Sequence, residues 1–464
     1  MKNYDVIVIG SGGGSKITSP AARLGLKVAV IEKDQLGGTC LNRGCIPSKM
    51  LIHPADIAQE IREANKFDIK NNPNFTVDFT RLIQRISKTV DQDSLSIMNG
   101  YKQNPNISYY RGTATFVSNK VIKVGQETLT ADKIFIGVGA RPTIPDIDGL
   151  IGTPFMTSTE ALRSTSLPKK LVVIGAGYIG VELGHAYGAL GSEVHFLVRS
   201  YFLRAEDFEV ANEFTRVFST KYPCHFKAVP KKINYNNGQF RISFTQDDQT
   251  KTIMADALLV AVGITPNNDT LELQNTDIQL TNNGFIRVDD HLQTTVKGVY
   301  AMGDCVGNYF FRHSVNFEGE YLFESIFNNP HNQPIHYPPI PHAIFSNPQV
   351  AGVGKTEDEL KANGVDYVVG KNPYAKSAMG MALLSDHGFC KILFCAQTKK
   401  ILGAHIVGPE ASNMIHLLIA FMCKDGTLDD LLNMVYIHPA LPEIVRNAAR
   451  NAKVEFSKQL IQAG

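Results

Sequence analysis

Cys40 and Cys45 stand five positions apart in the stretch GGTCLNRGCIPSKM, residues 37–50, and Lys49 follows four residues after the second. Three chemistries use such a pair: a structural disulfide, a metal clip, and a reversible two-electron dithiol–disulfide couple. A structural zinc site requires a second ligand pair, and the remaining CKILFC run at 390–395 reads as a core strand, so no metal is expected. A disulfide closing so short a loop stabilises little and persists poorly in a reducing compartment. A redox couple needs an electron source nearby.

Such sources are written twice. YDVIVIGSGGGS (4–15) and KLVVIGAGYIG (170–180) are apolar strands running into glycine turns, each followed by a helical stretch and a second strand, KVAVIEK (27–33) and EVHFLVR (193–199). This is the βαβ dinucleotide-binding pattern, in which backbone N–H groups and a helix N-terminus meet a pyrophosphate. The first turn offers Gly10, Gly12, Gly13 and Gly14, with Ser15 at the place of the third fingerprint glycine; the second has Gly175, Gly177 and Gly180. Pro20 falls inside the first helix, which is expected to be kinked or short.

The residue closing each second strand differs. Glu32 suits a ribose diol and repels a 2′-phosphate, as the adenosine of FAD or NAD requires. Arg199 and Arg204 suit the 2′-phosphate of NADP, whereas Gly180 leans toward NAD, so the nicotinamide nucleotide stays open between the two.

These motifs need elements to carry them. TADKIFIGVGARP (130–142) and MADALLVAVGITP (254–266) share Ala-Asp, Val-Gly and Pro at a spacing of 124 residues, as two tandem domains of one architecture would. Segment 80–99 has helical apolar spacing and is the expected scaffold of the cysteine insertion. A proline-rich passage at 328–348 reads as a linker into a last domain. That domain has strand patterns at 366–371, 389–395 and 401–407, and helical patterns at 411–424, 427–434 and 440–462. The expected fold is α/β: two tandem Rossmann-like domains and a C-terminal α+β domain. The boundaries are 1–145 (first dinucleotide unit, with the cysteines), 146–265 (second dinucleotide unit), 266–335 (central part) and 336–464 (last domain).

Bulk properties fit a globular protein of several cores. The chain has 464 residues, 44% hydrophobic, and 46 basic against 44 acidic side chains, for a net charge of +2. No basic stripe with interleaved aromatics points to nucleic acid, and no apolar run is long enough for a membrane span. The seven cysteines are too few and odd in number for a secreted disulfide framework. The N-terminus runs straight into the first strand without a signal-peptide pattern. A cytoplasmic protein is expected.

GGTCLNRGCIPSK, AMGDC (301–305) and HPALPE (438–443) together resemble the FAD-dependent pyridine nucleotide–disulfide oxidoreductases, over essentially the whole chain. The resemblance implies that Cys45 contacts the flavin and that Cys40 exchanges with the disulfide substrate. Lys49 and Glu182 would pair near the flavin, Tyr178 would gate the nicotinamide pocket, and Asp304 would hold the ribityl chain. It makes His438 the acid–base, oriented by Glu443 and presented by the neighbouring subunit of a homodimer with a shared active site. It also implies that 1–145 and 266–335 form the FAD domain, 146–265 the NAD(P) domain and 336–464 the dimerisation domain. Lys33, Gly38, Thr39, Ala114, Gly139, Arg312, Ile179 and Gly263 would be further cofactor contacts.

Within the family the likeness is nearest to dihydrolipoamide dehydrogenase, with a small dithiol or a lipoyl domain as substrate. Ser314 departs from it, standing where a lysine is usual, while Arg199, Arg204 and YIHPALPEIV (436–445) lean toward mycothione reductase, so the alternative is an NADPH-dependent reductase of a low-molecular-weight disulfide. A docking subunit of a 2-oxoacid dehydrogenase complex is the alternative of another class.

Overall fold

The strand Lys2–Ile9 carries four consecutive apolar residues, Val6 to Ile9, at most 3% exposed. Burial on both faces is what a central parallel strand needs. A computed structural model of the chain, describing residues 1–70, 75–330 and 332–463, places this strand between Val28–Glu32 and Glu127–Ile136, both parallel to it. Ile107–Arg111 extends the sheet on one side, and the antiparallel strands Val121–Val124 and Ala114–Ser118 on the other. Val299–Ala301 returns from far along the chain to pair with Glu127–Ile136.

The second unit repeats the plan on a smaller scale. Its parallel strands run in the order Cys224–Phe226, Glu193–Val198, Lys170–Ile174, Ala257–Val260. A three-stranded antiparallel meander, Val229–Ala255, is inserted before the last of them. The sequence repeat ends in contact with itself: Ala140–Pro142 and Ile264–Pro266 pair antiparallel, joining the two units.

The cysteine insertion forms two helices, Gly38–Arg43 and Cys45–Glu63, backed by Phe79–Gln103. The last is the helix expected at 80–99, capped by Asp78, whose side chain accepts from the Arg81 N–H at 2.9 Å. Pro20 lies in a helix of only nine residues, Ser15–Arg23. The passage 328–348 is not all linker: Pro341–Ile344 is the edge strand of the final sheet, and Pro341 opens it where a missing N–H is tolerated. That antiparallel sheet also holds Val350–Gly354, Ile401–Val407, Phe389–Cys395 and Tyr367–Pro373. Helix Glu443–Ala463 lies so close on it that a Cβ at Gly370 would come within 2.3 Å of the Ala448 carbonyl oxygen.

The second unit docks on this last sheet through buried charge. Lys391, fully buried, donates to Asp207 at 3.0 and 3.1 Å, lies 2.9 Å from Glu209, and also bonds Glu357. Lys371 adds a second cation 3.0 Å from Glu209. Satisfied on all sides, these charges fix one docking geometry; unpaired they would be costly.

Candidate functional site

Gly10 and Gly175 begin the two turns with positive φ, +95° and +134°, and a Cβ on either would strike a carbonyl oxygen of a neighbouring strand, at 2.3 and 2.1 Å. Only glycine lets strand and turn close up there. Gly12 and Gly177 instead face outward: a Cβ would meet nothing nearer than 3.6 Å at Gly12 and nothing within 4 Å at Gly177. Both turns are therefore shaped to let a ligand backbone approach. The close-packing residue of the first turn is Gly14, whose Cβ would lie 2.2 Å from the Gly10 oxygen, not Ser15 as the fingerprint spacing suggests. Ser15 caps the turn, its hydroxyl donating to the Gly12 carbonyl at 2.9 Å.

Beyond the first turn a cavity of about 770 Å³ runs between the two units. Gly10, Gly12, Gly13, Glu32 and Lys33 line its far end; Gly38, Thr39, Ala114, Gly139, Asp304 and Arg312 line its body. Three hydrogen bonds hold Glu32 in place: its carboxylate accepts from the Ser11 N–H (2.9 Å) and hydroxyl (2.8 Å) and from the Asp34 N–H (3.0 Å). Burial pushes the Asp304 carboxyl up to about 6. Length, glycine turn and the carboxylate of Glu32 at the cavity's end fit an extended dinucleotide such as FAD.

Cys40 and Cys45 open into the same cavity. Both are free thiols here, the dithiol form of the pair. Cys45 is the first residue of its helix, where backbone N–H groups favour a thiolate. A hydrogen bond from Cys40, against burial and with help from Lys49 one turn on, brings Cys45 down to about 7. Cys40 is pushed up by giving that bond and by burial. One sulfur is thus prepared as the anion and the other as its proton donor.

Lys49 reaches across to the dinucleotide helix Tyr178–Leu190 of the second unit, pairing with Glu182 at 2.8 and 3.0 Å. Glu182 also accepts from the Phe345 N–H at 2.9 Å, and Lys49 sits 4.4 Å above the Phe345 ring. A second contact between the same two helices, His185 to Asp56 at 2.8 Å, has no sequence signature, because a lone histidine in a helix carries no pattern. Tyr178 and Ile179 line the cavity next to Glu182. Gly175, Gly177 and Gly180 lie outside it, at the second turn, and Gly263 lies between strands Ala257–Val260 and Ile264–Pro266, outside the lining. Arg199 and Arg204, just past strand Glu193–Val198, are exposed, and among the described residues neither forms an ion pair.

His438 and Glu443 are brought together, at 3.0 and 3.1 Å, with Arg446 also on the carboxylate at 2.6 Å. Despite burial, the hydrogen bond from His438 keeps Glu443 below the usual carboxylate range. Glu443 is buried, but the His438 side chain is 70% exposed and does not line the cavity with the cysteines. Beside it Val435 and Ile437 are 95% and 81% exposed, an apolar surface left uncovered by one copy of the chain. Among the described residues no group of three side chains is arranged to hold a metal, and no helix is long and apolar enough to cross a membrane.

Residues 4–321 match the family model described as pyridine nucleotide-disulphide oxidoreductase, and residues 340–449 the dimerisation domain of the same family. The chain is 33% identical to dihydrolipoyl dehydrogenase of Geobacillus stearothermophilus, over 97% of this chain and 96% of that one. It is also 33% identical to mycothione reductase of Mycobacterium tuberculosis, over 97% and 99%. Among solved structures, the HOCl-induced flavoprotein disulfide reductase RclA from Escherichia coli, as its Cu(II) complex, superposes with a TM-score of 0.86 at 27% identity. That alignment covers 97% of this chain and 99% of the other. The chain therefore belongs to the pyridine nucleotide-disulphide oxidoreductases, as a flavoprotein disulfide oxidoreductase that works with FAD and NAD(P)H.

Proposed function

We propose that this enzyme moves an electron pair between a small dithiol, of the dihydrolipoyl class, and a pyridine nucleotide. The observation that carries the reading is the shared cavity: Cys45 and Lys49 on one helix face Glu182 on the helix of the second glycine turn. Segments 1–145 and 266–335 would form the FAD unit, 146–265 the nucleotide unit and 336–464 the subunit interface. FAD, held by the first turn, Glu32, Lys33, Asp304 and Arg312, would supply the two-electron relay between sulfur and nicotinamide.

In dithiol oxidation, a substrate thiolate attacks Cys40 of the oxidised pair, and Cys45 leaves as the thiolate its surroundings favour. The second substrate sulfur then attacks the first, closing the product disulfide and releasing Cys40. Each attack needs a deprotonated thiol and each departing sulfur a charge sink or a proton. The His438–Glu443 pair would exchange that proton when a second copy of this chain presents it, in a homodimer with a shared active site. Lys49 stabilises negative charge at Cys45 and is itself fixed by Glu182.

A second reading, reduction of a low-molecular-weight disulfide by NADPH, is favoured by the exposed cations Arg199 and Arg204 at the ribose end of the second unit. The test is reduction of NAD and of NADP by dihydrolipoamide, side by side, on the FAD-loaded protein. Fast turnover with NAD supports the first reading. No turnover with NAD, alongside flavin reduction by NADPH, replaces it with the second.

A further inference from the structure

Glu206 follows the arginine loop and is buried, its side chain fully so, yet it belongs to none of the motifs above. One carboxylate oxygen accepts from the Tyr178 hydroxyl; the other lies 2.7 Å from Nε2 of His342, on the edge strand of the last sheet. The rings of Tyr178, Phe311 and His342 stand nearly parallel, with centroids 6.1–6.2 Å apart. A Cβ at Gly352 would lie 2.7 Å from the His342 ring and 3.0 Å from Nδ1 of His405, so the imidazoles close in from behind with no room to spare. Burial raises the Glu206 carboxyl and the bond from His342 lowers it further, leaving it below its ordinary range and ionised. The Tyr178 hydroxyl is thus bound to a buried, backed anion.

Tyr178 and Glu182 are one turn apart on the same face of the nucleotide helix. A nicotinamide joined to a pyrophosphate at Gly175–Gly180 and reaching the Lys49–Glu182 pair lies along that face. Its path crosses the Tyr178 ring.

We propose that Glu206, braced by His342, is a positioning residue that latches the Tyr178 ring across the nicotinamide path, so that nucleotide binding must break the Tyr178–Glu206 bond. The proposal rests on the reading of the second unit given above. A latched fraction lowers apparent affinity by the fraction of molecules that are open. Removing the latch therefore tightens binding, opposite to what loss of a contact residue or of local structure does.

The test is equilibrium calorimetric binding of NADP⁺ and NAD⁺ to the FAD-loaded protein. For whichever nucleotide the wild type binds, Tyr178→Phe, which keeps the ring and removes the hydroxyl, lowers Kd about tenfold, as removal of one hydrogen bond to a charged group predicts. Glu206→Gln shifts Kd in the same direction, with its limiting rate of flavin reduction within twofold of wild type. The double variant gains no more than the better single one. Unchanged or weaker binding in Tyr178→Phe, or additive gains in the double variant, overturns the latch. A wild type that binds neither nucleotide overturns the underlying reading of the second unit instead.

Discussion

Gly10 and Gly175 make the same backbone turn with the same collision behind it, yet their surroundings part company. The first turn forms the end of a deep cavity, and its cavity-lining Glu32 is tied down by three hydrogen bonds. The glycines of the second turn lie outside the cavity with Gly177 exposed, and Arg199 and Arg204, past the strand that follows, are exposed. One architecture used twice thus gives a site suited to a resident group and a site suited to a ligand that comes and goes. What distinguishes them is the cysteine insertion and the segment after the returning strand Val299–Ala301, which line the cavity beside the first turn with Gly38, Thr39, Asp304 and Arg312.

The largest effect expected is at the turns themselves. Gly10→Val should yield a colourless protein without bound flavin, whereas Gly175→Val should purify yellow and fail to bind NAD(P); flavin absorbance together with nucleotide calorimetry reads both. If both variants lose flavin, the two sites do not differ as described.

Next comes the docking of the second unit. Lys391→Met removes the cation from three carboxylates and should cost about 3–5 kcal/mol, measured by denaturant unfolding of the FAD-loaded protein. A sign check by pH accompanies it. Burial raises Glu357, but hydrogen bonds from Lys361, Lys391 and Tyr367 outweigh it and hold the carboxyl at about 2, below its ordinary 4.5. Its stabilising contribution is present above 4.5 and is lost as pH falls toward 2, so the variant should lose less stability than wild type over that interval.

Smaller, and directed at the open site, is Arg199→Glu with Arg204→Glu. It should lower kcat/KM for NADPH by about 10- to 100-fold, the value of charge-assisted phosphate contacts, and leave NADH within a few-fold. Equal loss for both nucleotides would remove the phosphate role. The smallest effect is a titration. With Cys45 held at about 7, thiolate ultraviolet absorbance of the reduced protein, minus that of Cys45→Ser, should rise as pH increases through 7 and vanish below it. A rise beginning only above the ordinary thiol value of 9 would contradict the assigned environment.

Much of this arrangement was legible in the sequence, for reasons of local physics. Buried parallel strands announce themselves as apolar runs, glycine turns as glycines, and the helix Phe79–Gln103 by its spacing. The cysteines, Lys49 and His438–Glu443 sit in short segments that resemble the family's motifs, so the likeness pointed to them. What stayed hidden is held across long separations. Glu206 reads as a solvated acid in an acidic run, and His342 as part of a proline-rich passage. Only the fold, which sets a loop of the second unit against the edge strand of the last sheet, makes them partners. Lys391 is hidden for the same reason: a lysine amid a strand pattern looks outward until three carboxylates from two other elements surround it. Ser15 misled in a different way, because the fingerprint position and the tightest backbone approach are adjacent residues.

The central claim is that the sulfur pair of the first unit and the nucleotide site of the second serve one cavity, with Cys45 between them. Rapid mixing of Cys45→Ser, FAD-loaded, with NADH or NADPH, and separately with dihydrolipoamide plus NAD⁺ or NADP⁺, tests it most directly. The account predicts that the reduced nucleotide still bleaches the flavin while dithiol turnover is lost. Retention of dithiol turnover, or loss of flavin reduction by the nucleotide, would contradict it.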